Sequence, residues 1–380
     1  MNQPHERMTI TDIKLLRLRV IEELGDIEPA WDLGGRMNFQ IGGGAVVEIH
    51  TSAGITGIGP AVDPQFLPRL KELLIGQDPF DTEKHLAAMR YYVRGLPYRG
   101  CAGIDIALWD IIGKACEQPL YKLWGGGKDK VAGYASMVRL STPDERTDLA
   151  VRLADEGWQA MKLRIHYATF EEDVELVEKV VMAVGNRMKI MVDANQAQSN
   201  GTWQPGILWD YRRALETARA LSELGVYWFE EPLPRYAFDQ LARINNEVDM
   251  PLAGGENNPL LSDFTQMIEK NVYDVLQPES MVLDGITNLR KLGVLAELYG
   301  KEICPHHGGR NLGTIAHLHL VASWPHAHFL EMLHDPPHGE YEVGFSILAE
   351  PPVVDSEGFV AVPQGPGLGV EINRDLVMAD

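Results

Sequence analysis

Three short apolar stretches set the fold of this chain: IMVDAN at 190–195, VYWFEEP at 226–232 and MPLAGGE at 250–256. Each carries an acidic residue at or near its end, and these residues are Asp193, Glu230 and Glu256. In a parallel β/α barrel the C-terminal ends of neighbouring strands face one cavity, so the three carboxylates are expected to meet there. Carboxylate oxygens, with no Cys or His among them, suit a hard divalent cation, and the pattern predicts Mg²⁺.

The same alternation of strand and helix runs through the chain from Val131 onward. Eight apolar segments carry it: VAGYASM, QAMKLRI, KIMVDAN, VYWFEEP, PLAGGE, DVLQPE, EICPHH and HFLEML. Each segment except the last is followed by a stretch of helical length, which is the pattern of a closed barrel. We therefore predict an α/β fold class, with a TIM-type β/α barrel of modified (β/α)7β form over residues 126–339.

The first third of the chain has a different pattern. Residues from about Ile10 to Ser52 alternate between apolar and polar as antiparallel strands do, with Gly-rich turns between the runs. Two helical patterns follow, FLPRLKELLIG and CAGIDIALWDIIGKAC, and the C-terminal tail is rich in Pro and Gly. We predict an α+β domain over residues 1–125, completed by residues 340–380 packing back on it.

Composition narrows the range of partners. The chain has 34 Lys and Arg against 54 Asp and Glu, a formal charge of −20. Without a basic cluster, nucleic acids and anionic membranes are not expected partners. Cys101, Cys116 and Cys304 lack the spacing of a metal site and indicate reduced thiols. With no signal-like opening and no apolar run of membrane-spanning length, we expect a cytoplasmic protein, and we expect it to form a homo-oligomer.

The three acidic strand ends, together with AGIDIALWDIIGK at 102–114 and LYKLWGG at 120–126, resemble the enolase superfamily and within it the mandelate racemase subgroup. The resemblance covers nearly the whole chain, and it implies that the α+β domain caps the barrel. It implies one Mg²⁺ per subunit, bound by Asp193, Glu230 and Glu256. It also implies abstraction of a proton α to a carboxylate, with the metal stabilising the enediolate.

The second barrel segment contains Lys162, Arg164 and His166 at alternate positions, so the three side chains are expected to share the inner face. The subgroup usually carries Lys-X-Lys here, with the second Lys as one base. Lys162 matches the first position, near the substrate carboxylate. Arg164 occupies the second position and, as a guanidinium that stays protonated, is a poor proton acceptor. His166 is then a candidate for a second base.

Glu279 and His307 end the sixth and seventh segments, where the subgroup usually pairs an Asp with a His. A carboxylate that holds one imidazole nitrogen orients the other toward substrate, so the resemblance implies a Glu279–His307 acid–base dyad. The adjacent His306 is expected to face the other way. Glu331, which closes HFLEML, matches a subgroup Glu that hydrogen-bonds the substrate carboxylate.

Polar residues around the expected cavity mouth indicate a polyhydroxylated small-molecule substrate. The candidates for contacts with hydroxyls or a second carboxylate are Asn195, Asn257, Arg310 and Arg36. With Arg164 in place of a base, the favoured function is an acid-sugar dehydratase that forms a 2-keto-3-deoxy acid. The alternatives are an epimerase using His166 and His307, a sugar-lactone cycloisomerase, and a non-catalytic metal-binding barrel.

Overall fold

Two antiparallel sheets begin the chain in the computed structural model, which describes residues 7–94 and 100–379. Their strands are β1 (Ile10–Arg17), β2 (Val20–Ile27), β3 (Met37–Gly42), β4 (Ala45–Thr51) and β5 (Thr56–Pro60). One sheet has the order β1-β4-β5, and β2 pairs with β3 in the other. The helices that follow are α1 (Leu67–Leu74), α2 (Thr82–Val93), α3 (Cys101–Ala115) and α4 (Leu120–Leu123).

Helix α3 packs unusually close to strand β5 because glycines line the contact. A Cβ atom at Gly57 would lie 2.2 Å from the carbonyl oxygen of Ala107, and one at Gly59 would lie 2.1 Å from that of Gly103. Only glycine permits this separation of the two backbones. The helix is therefore almost entirely buried between this sheet and the second half of the chain.

The second half of the chain is a parallel barrel. Its strands are β6 (Lys130–Ser136), β7 (Ala160–Arg164), β8 (Lys189–Asp193), β9 (Phe229–Glu230), β10 (Leu252–Gly254), β11 (Val275–Leu276), β12 (Glu302–Ile303) and β13 (Phe329–Leu333). They follow the order β12-β11-β10-β9-β8-β7-β6-β13 in the described residues, so the first barrel strand pairs with the last. Between β12 and β13 the amide of Ile303 donates to the carbonyl of His326, at 3.3 Å. The predicted TIM-type fold is confirmed.

Helices alternate with these strands and cover the outside of the barrel. They are α5 (Pro143–Asp155), α6 (Phe170–Val184), α7 (Tyr211–Glu223), α8 (Phe238–Asn245), α9 (Leu261–Glu269), α10 (Ile286–Leu298) and α11 (Leu312–Ser323). Capping boxes start two of them, Thr142 with Glu145 on α5 and Thr169 with Glu172 on α6. Among the described residues, no helix combines the length and the apolar character needed to cross a membrane.

The C-terminal tail contacts both parts of the chain. It contains α12 (Tyr341–Phe345) and β14 (Phe359–Ala361), and β14 pairs antiparallel with β6 of the barrel. Its end returns to the N-terminal sheet, where Leu376 accepts from the amide of Arg19 at 2.8 Å and Met378 donates to Arg17 at 2.9 Å. The domain boundaries after residues 125 and 339 remain a prediction, since the tail belongs to the packing of both units.

A ring of apolar side chains fills the barrel interior. It takes one residue from each of the eight barrel segments of the described chain: Tyr134, Ala160, Met191, Trp228, Ala253, Val275, Cys304 and Phe329. All are buried, and the aromatic members meet edge to face. Cys304 is thus a packing residue. This apolar ring packs beneath the polar side chains at the C-terminal end of the barrel.

A buried polar contact joins the N-terminal domain to the barrel. Asp105 on α3 accepts from the amide and the hydroxyl of Thr287 on α10, at 2.9 and 2.5 Å, and that hydroxyl accepts from Trp109 Nε1 at 2.8 Å. Burial raises the pKa of Asp105 to about 7, although the Thr287 hydrogen bonds oppose the shift. The carboxyl group depends on Thr287 for its polar contacts at this junction.

We predict that Thr287→Val destabilises the fold by about 1–3 kcal/mol, because buried polar atoms of Asp105 and Trp109 lose their partner. Thr287→Ser is the control, since it keeps the hydroxyl. Thermal unfolding followed by circular dichroism would show a lower midpoint for the Val variant than for the Ser variant. Equal midpoints would contradict this account of the junction.

Candidate active site

A ring of polar side chains lies directly above the apolar ring. Because side chains alternate along a strand, the residue two positions after each apolar member faces the same interior. Seven of these residues carry polar side chains, Ser136, Lys162, Asp193, Glu230, Gln277, His306 and Glu331, and the eighth is Gly255. They stand at the C-terminal ends of the parallel strands, which is where barrels of this type carry their sites.

The three predicted metal ligands come together. Asp193, Glu230 and Glu256 each offer a carboxylate oxygen, and these oxygens lie within 4.8 Å of one another. Burial and the nearby Asp193 carboxylate raise the pKa of Glu230 to about 7. Oε2 of Glu256 is buried and lies 3.1 Å from Nε2 of His306. A compact, buried, all-oxygen donor set fits a hard divalent cation.

Side-chain amides hold each of the three carboxylates. Asn195 Nδ2 donates to Asp193 at 3.0 Å, and Gln277 Nε2 donates to Glu230 at 2.7 Å. Glu256 Oε1 accepts from two amides at 3.0 Å, those of Gln198 and Asn257. Asn195 and Asn257, which were predicted as substrate contacts, line the cavity, but their side-chain amides donate these hydrogen bonds to the carboxylates. Amides orient a carboxylate without neutralising it, so the cluster keeps its affinity for a cation.

Two buried cations face the carboxylates, as the sequence predicted. Lys162 Nζ lies 2.8 Å from Glu230 and 2.9 Å from Glu331. Arg164 pairs with Asp193 and uses its other nitrogens on Met137 O, at 2.7 Å, and Ser136 Oγ, at 3.0 Å. Burial would lower the pKa of Lys162, but Glu230 and Glu331 raise it. Lys162 and Arg164 are therefore fixed charges.

The predicted pairing of Glu279 with His307 is wrong, because His306 occupies that place. His306 Nδ1 lies 2.8 Å from Glu279 Oε2, and its Nε2 lies 3.1 Å from Glu256 Oε2. The alternation explains this, since His306 follows the inward Cys304 by two positions. Burial would lower the pKa of His306, but Glu256, Glu331 and Glu279 raise it to about 10. The expectation that His306 faces away is also wrong.

His307 reaches the same cavity from the turn that follows. Its ring centre lies 3.9 Å from that of His306, and its Nδ1 accepts from the amide of Gly309 at 3.0 Å. Nδ1 therefore carries a lone pair, and the neutral ring keeps its proton on Nε2. Burial and the neighbouring His306 lower the pKa of His307 to about 3. His307 is thus a neutral hydrogen-bond donor beside the dyad of Glu279 and His306.

Two predicted site residues lie elsewhere. The ring nitrogens of His166 lie 3.2 Å from Ala30 O and 2.9 Å from Ile207 O, so the ring links two loops and is not available as a base. The strand β7 ends at Arg164, and His166 stands beyond the ladder. The side chain of Arg36 is 82% exposed and lies 3.7 Å from Asp26. Arg36 is a solvated loop residue on the turn that follows Trp31.

The remaining candidates border one cavity of about 200 Å³ and a recess beside it. The cavity is lined by Trp31, Arg164, Asn195, Gln198, Glu256, Asn257, His306, His307 and Leu333. Glu331 and Arg310 line the recess, which shares His307 and Leu333 with the cavity. Burial alone would raise the pKa of Glu331, but Lys162 and His306 hold it well below its usual value.

The sequence analysis did not identify Trp31, Gln198 or Gln277. Gln277 stands two positions after Val275 of the apolar ring, so the period of two could have identified it. Trp31 comes from the N-terminal domain, and its ring lies 5.0 Å from the guanidinium carbon of Arg164. No pattern in the barrel sequence points to that contact, because it depends on how the N-terminal domain covers the barrel.

The fold and the site define a barrel of the enolase type with a capping domain. Residues 145–376 match the family described as Enolase C-terminal domain-like. Residues 43–125 match the Mandelate racemase / muconate lactonizing enzyme N-terminal domain. The chain therefore belongs to the enolase superfamily and, within it, to the mandelate racemase subgroup.

Its relatives include enzymes of two classes. The chain is 32% identical to arabinonate dehydratase of Saccharolobus solfataricus over 88% of this chain and 89% of that one. It is 31% identical to D-galactarolactone cycloisomerase of Agrobacterium fabrum over 89% and 91%. The crystal structure of D-glucarate dehydratase from Agrobacterium tumefaciens complexed with magnesium matches with a TM-score of 0.83, at 27% identity over 98% of both chains.

We predict that Gln277→Met weakens divalent-cation binding about 10- to 100-fold, because Glu230 loses the donor that orients it. Mn²⁺ titration followed by electron paramagnetic resonance would measure the change. Gln240→Met on the exposed face of α8 is the control and should bind as the parent does. Unchanged affinity in the folded Gln277 variant would show that the amide does not support the ligand.

Proposed function

We propose that this chain is a Mg²⁺-dependent dehydratase of a sugar acid. It would remove the proton α to a carboxylate and expel the β-hydroxyl, giving a 2-keto-3-deoxy acid. Relatives named arabinonate dehydratase and D-xylonate dehydratase support this proposal, the latter 26% identical over the full length of this chain. The magnesium in the related D-glucarate dehydratase structure supports the choice of metal.

The choice of a dehydratase rests on one observation, which is that Arg164 is fully hydrogen-bonded and stays protonated. Its Nε, Nη1 and Nη2 all donate to fixed acceptors, and a guanidinium stays protonated at any working pH. The β7 wall of the cavity therefore has no proton acceptor at this position. The imidazoles of His306 and His307 lie on the β12 side. Acid–base chemistry from one side supports elimination, whereas racemisation by two bases needs an acceptor on each side.

Asp193, Glu230 and Glu256 would hold the Mg²⁺ ion. When bound, Mg²⁺ supplies positive charge that stabilises the negative charge developing on the substrate carboxylate and offsets the effect of Glu256 on the pKa of His306. Lys162 adds a fixed positive charge beside the same carboxylates. Glu331, held by Lys162, keeps that ammonium group in place.

His306 is the proposed acid–base residue. Its Nδ1–H donates to Glu279, which fixes the tautomer and leaves Nε2 for proton transfer. From the neutral ring, whose pKa the bound cation would lower, Nε2 takes the α-proton and then returns it to the departing β-hydroxyl, so that water leaves and no net proton is gained. His307 donates a hydrogen bond from Nε2–H, because its Nδ1 already accepts from Gly309.

We predict that His306→Asn abolishes exchange of the substrate α-proton with solvent deuterium, whereas His307→Asn slows turnover but keeps measurable exchange. Loss of a general base removes about 10²- to 10⁴-fold of rate. NMR of the substrate in D₂O would follow the exchange, with circular dichroism as the check on folding. Exchange that survives in His306→Asn and vanishes in His307→Asn would move the base to His307.

The product distinguishes dehydration from isomerisation. A sugar-lactone cycloisomerase is the second candidate, since a relative at 31% identity is a D-galactarolactone cycloisomerase. We predict that a panel of sugar acids incubated with the enzyme and Mg²⁺ yields a product lighter by one water, detected by mass spectrometry and by semicarbazide trapping of the keto group. A product of unchanged mass would contradict the dehydratase proposal and favour an isomerase.

A further inference from the structure

Three fixed cations stand at or beside the cavity, and one of them is uncompensated. Lys162 is paired with Glu230 and Glu331, and Arg164 is paired with Asp193. Within the residues that the structure describes, the Arg310 guanidinium has no ion pair and no side-chain hydrogen bond. The Arg310 guanidinium carbon lies 5.2 Å from the centre of the Phe39 ring. Among the described residues no carboxylate therefore lies within ion-pair distance of this guanidinium, although Glu331 and Glu340 line the recess beside it.

Arg310 is positioned by the turn that follows the histidines. Its φ of 69° is left-handed, a conformation that side chains other than glycine rarely adopt. The turn places Arg310 and His307 on the wall of one recess, where Glu331 and Glu340 also stand. The recess has a volume of about 10 Å³, room for about one water, and it adjoins the cavity of about 200 Å³ through His307 and Leu333. Arg310 also lines a neighbouring pocket of about 270 Å³ with Phe39 and Gly309, so open space borders this residue.

Resting on the proposed function, we infer that Arg310 recognises a second carboxylate at the far end of the substrate, so that the preferred substrates are sugar diacids rather than sugar monoacids.

The charge balance of the site supports this inference. On the proposed function the substrate's reacting carboxylate meets the metal-ligand cluster and Lys162, whereas Arg310 lines the recess that adjoins the cavity and not the cavity itself. A partly buried guanidinium without an anion is costly, and burial lowers the pKa of Arg310 with no carboxylate opposing the shift. A carboxylate on the other end of a six-carbon chain would neutralise it through paired N–H donors. A terminal hydroxyl would leave the charge uncompensated.

Matched acid pairs test the inference, because each pair differs only at the terminal carbon. The pairs are glucarate with gluconate, galactarate with galactonate, and mannarate with mannonate. For the parent enzyme with Mg²⁺ we expect the best diacid to bind, by isothermal titration calorimetry, at least tenfold more tightly than its monoacid. Arg310→Met should weaken diacid binding about 10- to 100-fold and leave monoacid binding within about threefold. Arg310→Lys should retain part of the preference, because it keeps the charge but loses the planar fork.

Arg36→Met is the control, because Arg36 is exposed and paired with Asp26 at the surface, and it should behave as the parent does. Where the enzyme turns the acids over, the Arg310→Met effect should appear in KM with little change in kcat. Diacid binding that depends on Arg310 without any dehydration would uphold this inference and refute the proposed function. Equal binding of both members of every pair, or an equal loss for both in Arg310→Met, would overturn the inference.

Discussion

Mutual repulsion among buried carboxylates is the constraint on which the rest of the site depends. Six carboxylates of the described residues crowd the C-terminal end of the barrel: Asp193, Glu230, Glu231, Glu256, Glu279 and Glu331. In a buried setting such charges repel strongly, and burial together with the Asp193 carboxylate raises the pKa of Glu230, although Lys162 and Arg164 oppose the rise. Lys162, Arg164 and a protonated His306 supply part of the compensating positive charge, and the amides fix the carboxylates in place. The missing positive charge is what a divalent cation would provide.

The fold holds these charges together through a simple geometric rule. Side chains alternate along the eight parallel strands, so one ring of apolar residues fills the barrel interior. The polar side chains of the site lie two residues further along the strands, at their C-terminal ends. The N-terminal domain closes the cavity from above, where Trp31 lies over Arg164 and the amide of Ala30 donates to Val138 O at 2.8 Å. His166 belongs to this closure, since it joins Ala30 to the loop at Ile207.

The sequence predicted the features that follow from strand periodicity. The barrel, the positions of Asp193 and Glu230, and the inward faces of Lys162 and Arg164 follow from that period, whereas Glu256 was predicted from its place at a strand end. The prediction of His307 as the partner of Glu279 was wrong. It followed the subgroup match, whereas the alternation of side chains from Cys304 selects His306. Sequence prediction also failed beyond strand ends and between domains, where Arg36 turns to solvent and Trp31 enters the cavity. Those positions depend on loop paths and on domain packing, which local pattern does not encode.

Crystals of the enzyme soaked in Mn²⁺ and measured at an anomalous wavelength test the central claim most directly, because the structure offers two clusters of possible ligands. One is formed by Asp193, Glu230 and Glu256, and the other by Glu279, His306 and His307. We predict one anomalous peak per chain, bonded to oxygens of the first cluster, with His306 unligated. A peak on the imidazoles of the second cluster, or no peak at millimolar Mn²⁺, would contradict the assignment of the metal site and of His306 as the acid–base residue.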